Sequence, residues 1–364
     1  MAKQITTQNS PETETERSQQ ITTHFQTLKE LPIQLEQSQC VLHKHELLIC
    51  GCYVERACYS YHTLKDEYKF ICEYPSDVKL KGHCVVKLLD SNSNNDKDNN
   101  QITLLSFGGS LITKRHTLMM KYVSVWSDDN NNDDENETNK SEKLNDLNRL
   151  NKSNNYNQWL PFIDNHNHPL IIGRDQDMFD LNTFQFTKHD TLPAKNIIYY
   201  HCFVSKSENG QVQEMIKTNQ KNEQNYQMLL FFKDTGLSIE YDEDNNTFQF
   251  HQLPVCKSIA PFKLYAYVCI NDIILFFGGY NWEKKIYSKS VYKYSIRENE
   301  WMTFQNTLPS PLYGCVAILS EEDNHIHIIG GIDDEDTIVS THMKTKVRVC
   351  DPSQLVMVYL FILI

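Results

Sequence analysis

The chain of 364 residues carries 47 acidic and 35 basic side chains, which gives a formal net charge of -12. This excess of acid disfavours non-specific binding to nucleic acid or to anionic membranes, because both depend on clustered Lys and Arg. A hydrophobic share of 40%, with 11% aromatic residues, predicts a folded protein interrupted by polar segments.

The N-terminal segment 1–20 contains no apolar stretch of the kind found in a secretory signal. We therefore predict a disordered tail and a cytoplasmic location. The sequence has 11 cysteines, an odd number, and a reducing compartment favours free thiols over disulfides.

Apolar runs that end in glycine recur along the chain. A continuous apolar run of four to eight residues is typical of a strand buried on both faces, and paired glycines permit a close backbone approach or a positive φ. Each run therefore predicts one buried strand of a repeat. The glycines that we assign to this structural role are Gly51, Gly108, Gly109, Gly278, Gly279, Gly330 and Gly331.

A second signal, Phe-Gln followed by Leu-Pro, accompanies the glycine-ended runs. Proline has no amide hydrogen to donate to a central ladder, so the motif predicts the exit from an outer strand. The copies end at Pro32, Pro193, Pro254 and Pro309.

After most of these prolines comes a short strand that carries a cysteine. This recurrence favours a compact buried hydrophobe near the centre of the fold over a redox or metal role. The cysteines at this repeat position are Cys40, Cys84, Cys202, Cys269 and Cys315.

The fullest repeat unit, 262–309, adds Tyr294 and, six residues further on, Trp301. With the double glycine before them, these residues resemble the motif of the kelch repeat family. The resemblance implies an all-β fold, a kelch-type β-propeller with a period of about 50 residues per blade. It also implies a general role in protein binding.

The repeat order predicts about six blades, within a propeller that spans 24–351. Blade three has too few residues for four strands and is predicted to be incomplete. Blade six lacks an outer strand, which we expect the segment 25–32 to supply, closing the ring and removing two exposed sheet edges. The predicted blades are 38–75, 83–161, 166–193, 197–254, 264–309 and 313–351.

Three further segments fall outside the repeat pattern. The Asn/Asp-rich stretches 91–100 and 127–157 predict disordered loops. The segment 352–364 is an apolar C-terminal tail, whose longest apolar run is shorter than the roughly 20 residues of a membrane-spanning helix.

Two loops that follow double glycines are predicted to emerge on one face and to bind a protein partner. Aromatic anchors beside charge are the composition favoured at interface hot spots. The alternative is that Trp282 only covers the blade surface. The candidate residues are Tyr280, Trp282 and Lys284 in the loop 280–289, and Asp333, Asp334 and Asp336 in the loop 332–341.

Candidates for chemistry are weak, and we predict no catalytic, metal-binding or cofactor-binding residues and no cofactor. Three His-x-His pairs could place two imidazoles on one strand face, but no carboxylate or cysteine partner shares their spacing. They are His43/His45, His166/His168 and His325/His327.

The sequence therefore predicts a non-catalytic protein-interaction scaffold with an unidentified protein partner, and neither nucleic acid nor membrane as a ligand. The oligomeric state stays open. The kelch resemblance leaves two alternatives: a substrate-recognition subunit that acts with a separate ubiquitin-ligase component, and a galactose oxidase-like metalloenzyme. No copper-binding constellation of that kind could be placed on this sequence.

Overall fold

The computed structural model describes residues 25–88, 101–109, 114–127, 155–172, 177–180, 185–189, 193, 200–206, 214–215, 226–242 and 244–347. Within these residues every named element is a β-strand, so the all-β prediction is confirmed. The two predicted terminal tails and nearly all of the Asn/Asp-rich stretches lie outside the described residues. No helix among the described residues is long and apolar enough to cross a membrane.

Five blades of antiparallel strands make up most of the described chain. Blade one contains β2 (Cys40–His43), β3 (Glu46–Cys50), β4 (Ala57–His62) and β5 (Glu67–Glu73). Blade two contains β6 (His83–Leu88), β7 (Gln101–Gly108), β8 (His116–Val123) and β9 (Leu160–Pro161). Blade four contains β12 (Cys202–Lys206), β14 (Tyr226–Phe232), β15 (Thr235–Asp242) and β16 (Thr247–Leu253).

Blade five contains β17 (Ala266–Ile270), β18 (Ile273–Phe277), β21 (Val291–Ser295) and β22 (Glu300–Thr303). Blade six contains β23 (Val316–Ser320), β24 (His325–Ile329), β25 (His342–Lys346) and β1 (Gln26–Thr27). A separate two-stranded hairpin, β19 (Tyr280–Asn281) and β20 (Ile286–Tyr287), projects from blade five.

Only a two-stranded sheet is described where blade three was predicted. It consists of β10 (Asp177–Asp180) and β11 (Gln185–His189). A short strand from blade four, β13 (Glu214–Met215), pairs in parallel with the inner strand β6 of blade two. The connection between β12 and β14 of blade four thus contributes a strand to the blade-two sheet.

The N-terminal strand completes blade six, as the repeat order predicted. Gln26 pairs with Lys344 in an antiparallel ladder. The pairing continues beyond the strand, because the Leu28 amide donates to the His342 carbonyl oxygen at 2.9 Å. The first described residues therefore cover an edge of blade six that would otherwise be open to solvent.

Apolar side chains between neighbouring blades form the core. Residues of blades one and two make one cluster, and similar clusters join blades four and five, five and six, and six and one. Phe231 of blade four, for example, packs edge-on against Phe276 of blade five, with ring centroids 6.0 Å apart. Because the second strands β3 and β18 are covered on both faces, their sequences are nearly continuous apolar runs rather than alternating ones.

The glycines at the ends of the apolar runs allow adjacent blades to approach closely. Gly278 has a φ of 68°, and a Cβ at this position would lie 2.1 Å from the carbonyl oxygen of Leu312. Gly330 has a φ of 62°, and a Cβ there would lie 2.3 Å from the carbonyl oxygen of Leu35. Both the backbone conformation and the available space therefore require glycine.

A buried carboxylate links blade one to blade two. Glu46 is 6% exposed, and its Oε2 atom accepts hydrogen bonds from the Ser60 hydroxyl, at 2.7 Å, and from the Tyr122 hydroxyl. The Trp126 indole N–H donates to the Ser60 oxygen at 2.9 Å. Hydroxyl donors thus compensate the cost of burying this carboxylate.

Candidate partner-binding face

The loop that follows the double glycine of blade five is a β-hairpin with a defined tip. Tyr280 pairs with Tyr287 across the hairpin. At its tip, the side-chain oxygen of buried Asn281 accepts hydrogen bonds from the backbone amides of residues 283 and 284, at 3.0 and 3.2 Å. Asn281 therefore fixes the turn in the manner of an Asx turn.

Trp282 lies at this fixed turn and is 52% exposed. One side of its indole rests edge-on against the Tyr280 ring, with the centroids 5.0 Å apart. Lys284 follows it and is also exposed. An aromatic side chain held by a rigid turn loses little conformational entropy when a partner covers it, which is the property of an interface anchor.

The acidic run after the double glycine of blade six forms a second structured loop. The Asp333 carboxylate accepts hydrogen bonds from the amides of Glu335, at 3.0 Å, and of Thr337, at 2.9 Å. Asp336 adopts a positive φ of 58°. Asp333 therefore has a structural role in the turn, while the side chains of Asp334, Glu335 and Asp336 are exposed.

The structure brings the two loops together through aromatic residues. Tyr313, which lies just before the inner strand of blade six, stacks on Tyr280 with ring centroids 5.0 Å apart. Its hydroxyl donates to the Asp336 carboxylate at 3.1 Å. Burial and this carboxylate raise the pKa of Tyr313, which keeps the hydroxyl protonated as a donor. We call Tyr280, Trp282, Tyr287, Tyr313 and Asp336 the aromatic face.

The sequence predicted that the loops 280–289 and 332–341 share one face, and the aromatic contacts place them side by side. Sequence reasoning missed Tyr287 and Tyr313. Tyr313 belongs to another repeat than Tyr280, so no spacing within one repeat relates the two. A signal that could have found it is its place directly before Gly314-Cys315, at the entry to an inner strand.

The His-x-His pairs are not gathered into a metal site. Among the described residues, no group of three His, Cys, Asp or Glu side chains is arranged to hold a metal ion. His168 instead contacts the Asp164 carboxylate at 3.3 Å, and His325 contacts the Asp323 backbone oxygen at 2.7 Å.

The repeat cysteines line the inner part of the fold. Four of the five lie in inner strands, and Cys315 directly precedes one. Burial raises the pKa of Cys40 and of Cys315 to about 12, and that of Cys84 to about 11. These groups are neutral thiols at physiological pH, in agreement with the packing role that their recurrence predicted.

Taken together, the four-stranded sheets, the ring closure by β1 and the inter-blade cores define a β-propeller. A family model described as "Kelch motif" matches residues 261–306, which lie in blade five. Blade five thus carries a kelch motif, and the arrangement of the sheets agrees with the kelch-type propeller that the sequence predicted.

The comparison with solved structures gives a distant likeness. The structure entitled "Structure of YjhT" is 12% identical to this chain, with a TM-score of 0.49. The alignment covers 88% of this chain and 97% of that one. No curated protein matches the sequence.

Proposed function

We propose that this protein is a non-catalytic interaction scaffold and that the aromatic face binds a protein partner. The kelch propeller fold supports an interaction role in general terms. The observation that carries the proposal for this face is the position of Trp282, 52% exposed on a hairpin whose turn is fixed by a buried side chain. Exposed aromatic residues on rigid supports are over-represented among interface hot spots.

The charge around the aromatic face favours a partner with basic residues near its contact surface. Asp334 and Asp336 project from one side of the face, and Glu335 lies between them. Opposite charges across an interface accelerate association and suppress incorrect partners. The same proposal includes a cytoplasmic location, a compartment in which cysteines stay reduced.

Affinity capture with the purified full-length chain tests this proposal. The captured proteins are identified by mass spectrometry, and each is then purified and titrated against the wild type and against Trp282→Ala. Loss of the indole, which a bound partner would cover, should weaken the affinity for a true partner by at least tenfold, equivalent to about 1.4 kcal/mol. Asp334→Asn should mainly slow association and reduce its salt dependence.

Met302→Ala is the matched control, because Met302 is 48% exposed but lies on the outer strand β22, away from the aromatic face. A partner that binds this control normally and Trp282→Ala weakly supports the proposal. Equal affinity for both variants would exclude the aromatic face as the binding site. Turnover of a small substrate by the purified protein would contradict the non-catalytic assignment.

A further inference from the structure

Three cysteines lie side by side on three adjacent strands of blade one. Cys50 on β3 pairs with Cys58 on β4, and Cys58 pairs with Cys72 on β5. Directly opposed residues in antiparallel strands have Cα atoms about 4.5 to 5.5 Å apart. Disulfides accept Cα separations of about 4.4 to 6.8 Å. Each neighbouring pair is therefore within reach of a disulfide without a large backbone movement.

The three thiols differ in their access to solvent. Cys50 and Cys58 are fully buried, whereas Cys72 is partly exposed. Cys72 lies on the outer strand of the blade, where an oxidant can approach from solvent. An oxidant dissolved in water therefore meets Cys72 before it meets the other two.

The surroundings of Cys58 stabilise a thiolate. The Trp159 indole N–H donates to the Cys58 sulfur at 3.4 Å. Burial raises the pKa of Cys58, but hydrogen bonds from Cys50, Cys72 and Trp159 outweigh this effect and lower its pKa. The Cys72 sulfur also lies 3.7 Å from the thioether sulfur of Met120. The hydrogen bond to Cys58 and burial raise the pKa of the Cys72 thiol, so within this pair Cys58 carries the thiolate and Cys72 the proton.

We propose that Cys72 and Cys58 form a redox modification site that a peroxide converts to a reversible disulfide. The neighbouring Cys58 thiolate accepts the Cys72 proton as the Cys72 sulfur attacks the peroxide. The Cys72 sulfur gives up two electrons and becomes a sulfenic acid, and the departing hydroxide takes up a proton from solvent to leave as water. The Cys58 sulfur then attacks the Cys72 sulfur, and a second water leaves as the S–S bond forms. Overall, two thiols and one hydrogen peroxide give one disulfide and two waters.

The site is separate from the aromatic face and does not depend on the proposed function. It joins the central strand β4 to the outer strand β5 within blade one. Disulfides in reducing compartments are usually transient and redox-sensing, which fits a bond formed from one accessible and one buried thiol.

The test treats the reduced full-length chain with hydrogen peroxide, blocks the remaining thiols under denaturing conditions and identifies cross-linked peptides by mass spectrometry. We expect a Cys58–Cys72 linkage that dithiothreitol reverses. Cys72→Ala should lose all Cys58-containing disulfides, whereas Cys50→Ala should retain the linkage. Cys256 is the internal control, because it is also partly exposed but lies 2.8 Å from the Ser258 hydroxyl rather than beside a thiol in a paired strand.

Recovery of wild-type Cys72 as a sulfinic acid, with Cys58 still reduced, would overturn the proposal. A Cys50–Cys58 disulfide that persists in Cys72→Ala would do the same. A pulse of iodoacetamide on the native wild type provides a test that needs no variant. Cys72 should be alkylated first among the three, and faster labelling of Cys58 would contradict the assigned order of attack.

Discussion

Lowering the pH from about 7 to about 4.5 should weaken the seam between blades six and one, because protonation disrupts a buried histidine pair. His327 and His342 are both fully buried in blade six. The Nδ1 atom of His327 lies 2.9 Å from the Nε2 atom of His342, and the other ring nitrogen of His342 contacts the Tyr68 hydroxyl of blade one. The pair therefore belongs to the interface at which the ring closes.

Both histidines are held neutral by their surroundings. Burial lowers the pKa of His327 to about 4, with Asp323 opposing the shift and Lys344 reinforcing it. Burial, the neighbouring His327 and Lys344 lower the pKa of His342 well below its ordinary value of 6.5. A proton on either ring would place a charge in an interior that solvates it poorly.

The sign of the effect follows from these directions. A base whose pKa is lower in the folded state favours folding above its unfolded pKa, and this contribution is lost as the pH falls towards the folded pKa. For His327 the interval runs from 6.5 to about 4. At about 1.4 kcal/mol per pKa unit, the loss at pH 4.5 is about 2.5 kcal/mol from this residue alone.

Urea unfolding at several pH values between about 7 and 4.5 measures this loss directly. Other histidines and the carboxylates also titrate, so the informative quantity is the difference between the wild type and His327→Gln/His342→Gln. The double variant should be less stable near neutral pH but should lose at least about 2.5 kcal/mol less on acidification, because it removes both histidines. An identical pH dependence of the two proteins would refute the assignment of the effect to this pair.

Three further outcomes are expected. Gly82→Ala should cost about 1 to 2 kcal/mol, because Gly82 has a φ of 69° but a Cβ there would make only an ordinary contact, 3.9 Å from the Gly109 carbonyl oxygen. Gly278→Ala, at a φ of 68°, should cost about 1 to 3 kcal/mol more than Gly82→Ala, because its Cβ would meet a backbone oxygen of the next blade. Equal losses of stability for the two variants in thermal unfolding would contradict the steric argument. Deletion of 1–32 should lower the melting temperature by removing β1, and deletion of 1–20 should leave it nearly unchanged. Coincident melting curves for the two truncations would rule out closure of the ring by β1. Glu46→Ala should lower the free energy of unfolding by about 2 to 4 kcal/mol, since two buried hydroxyls lose their acceptor. A loss below about 0.5 kcal/mol in urea titrations would show that the carboxylate does not stabilise the contact between blades one and two.

The propeller fold could be predicted from the amino-acid sequence, because a propeller repeats one supersecondary unit and each copy needs glycine and proline at the same positions. Glycine after an apolar run and proline after an aromatic strand mark constraints that act within a few residues. The same repeat order predicted the incomplete third blade and the return of the N-terminal segment to blade six, since both follow from counting strands.

The side chains that meet across blades and across strands could be identified only from the three-dimensional structure. Tyr313 reaches Tyr280 only because neighbouring blades pack together. Cys50, Cys58 and Cys72 become neighbours through strand register, which the connecting turns and the irregularity between Cys58 and Tyr59 set. In the sequence, Asp333 belongs to an acidic run typical of a solvated loop. In the structure, its carboxylate accepts hydrogen bonds from two backbone amides and stabilises a turn. These contacts depend on distances between separate elements, which the pattern within each repeat does not encode.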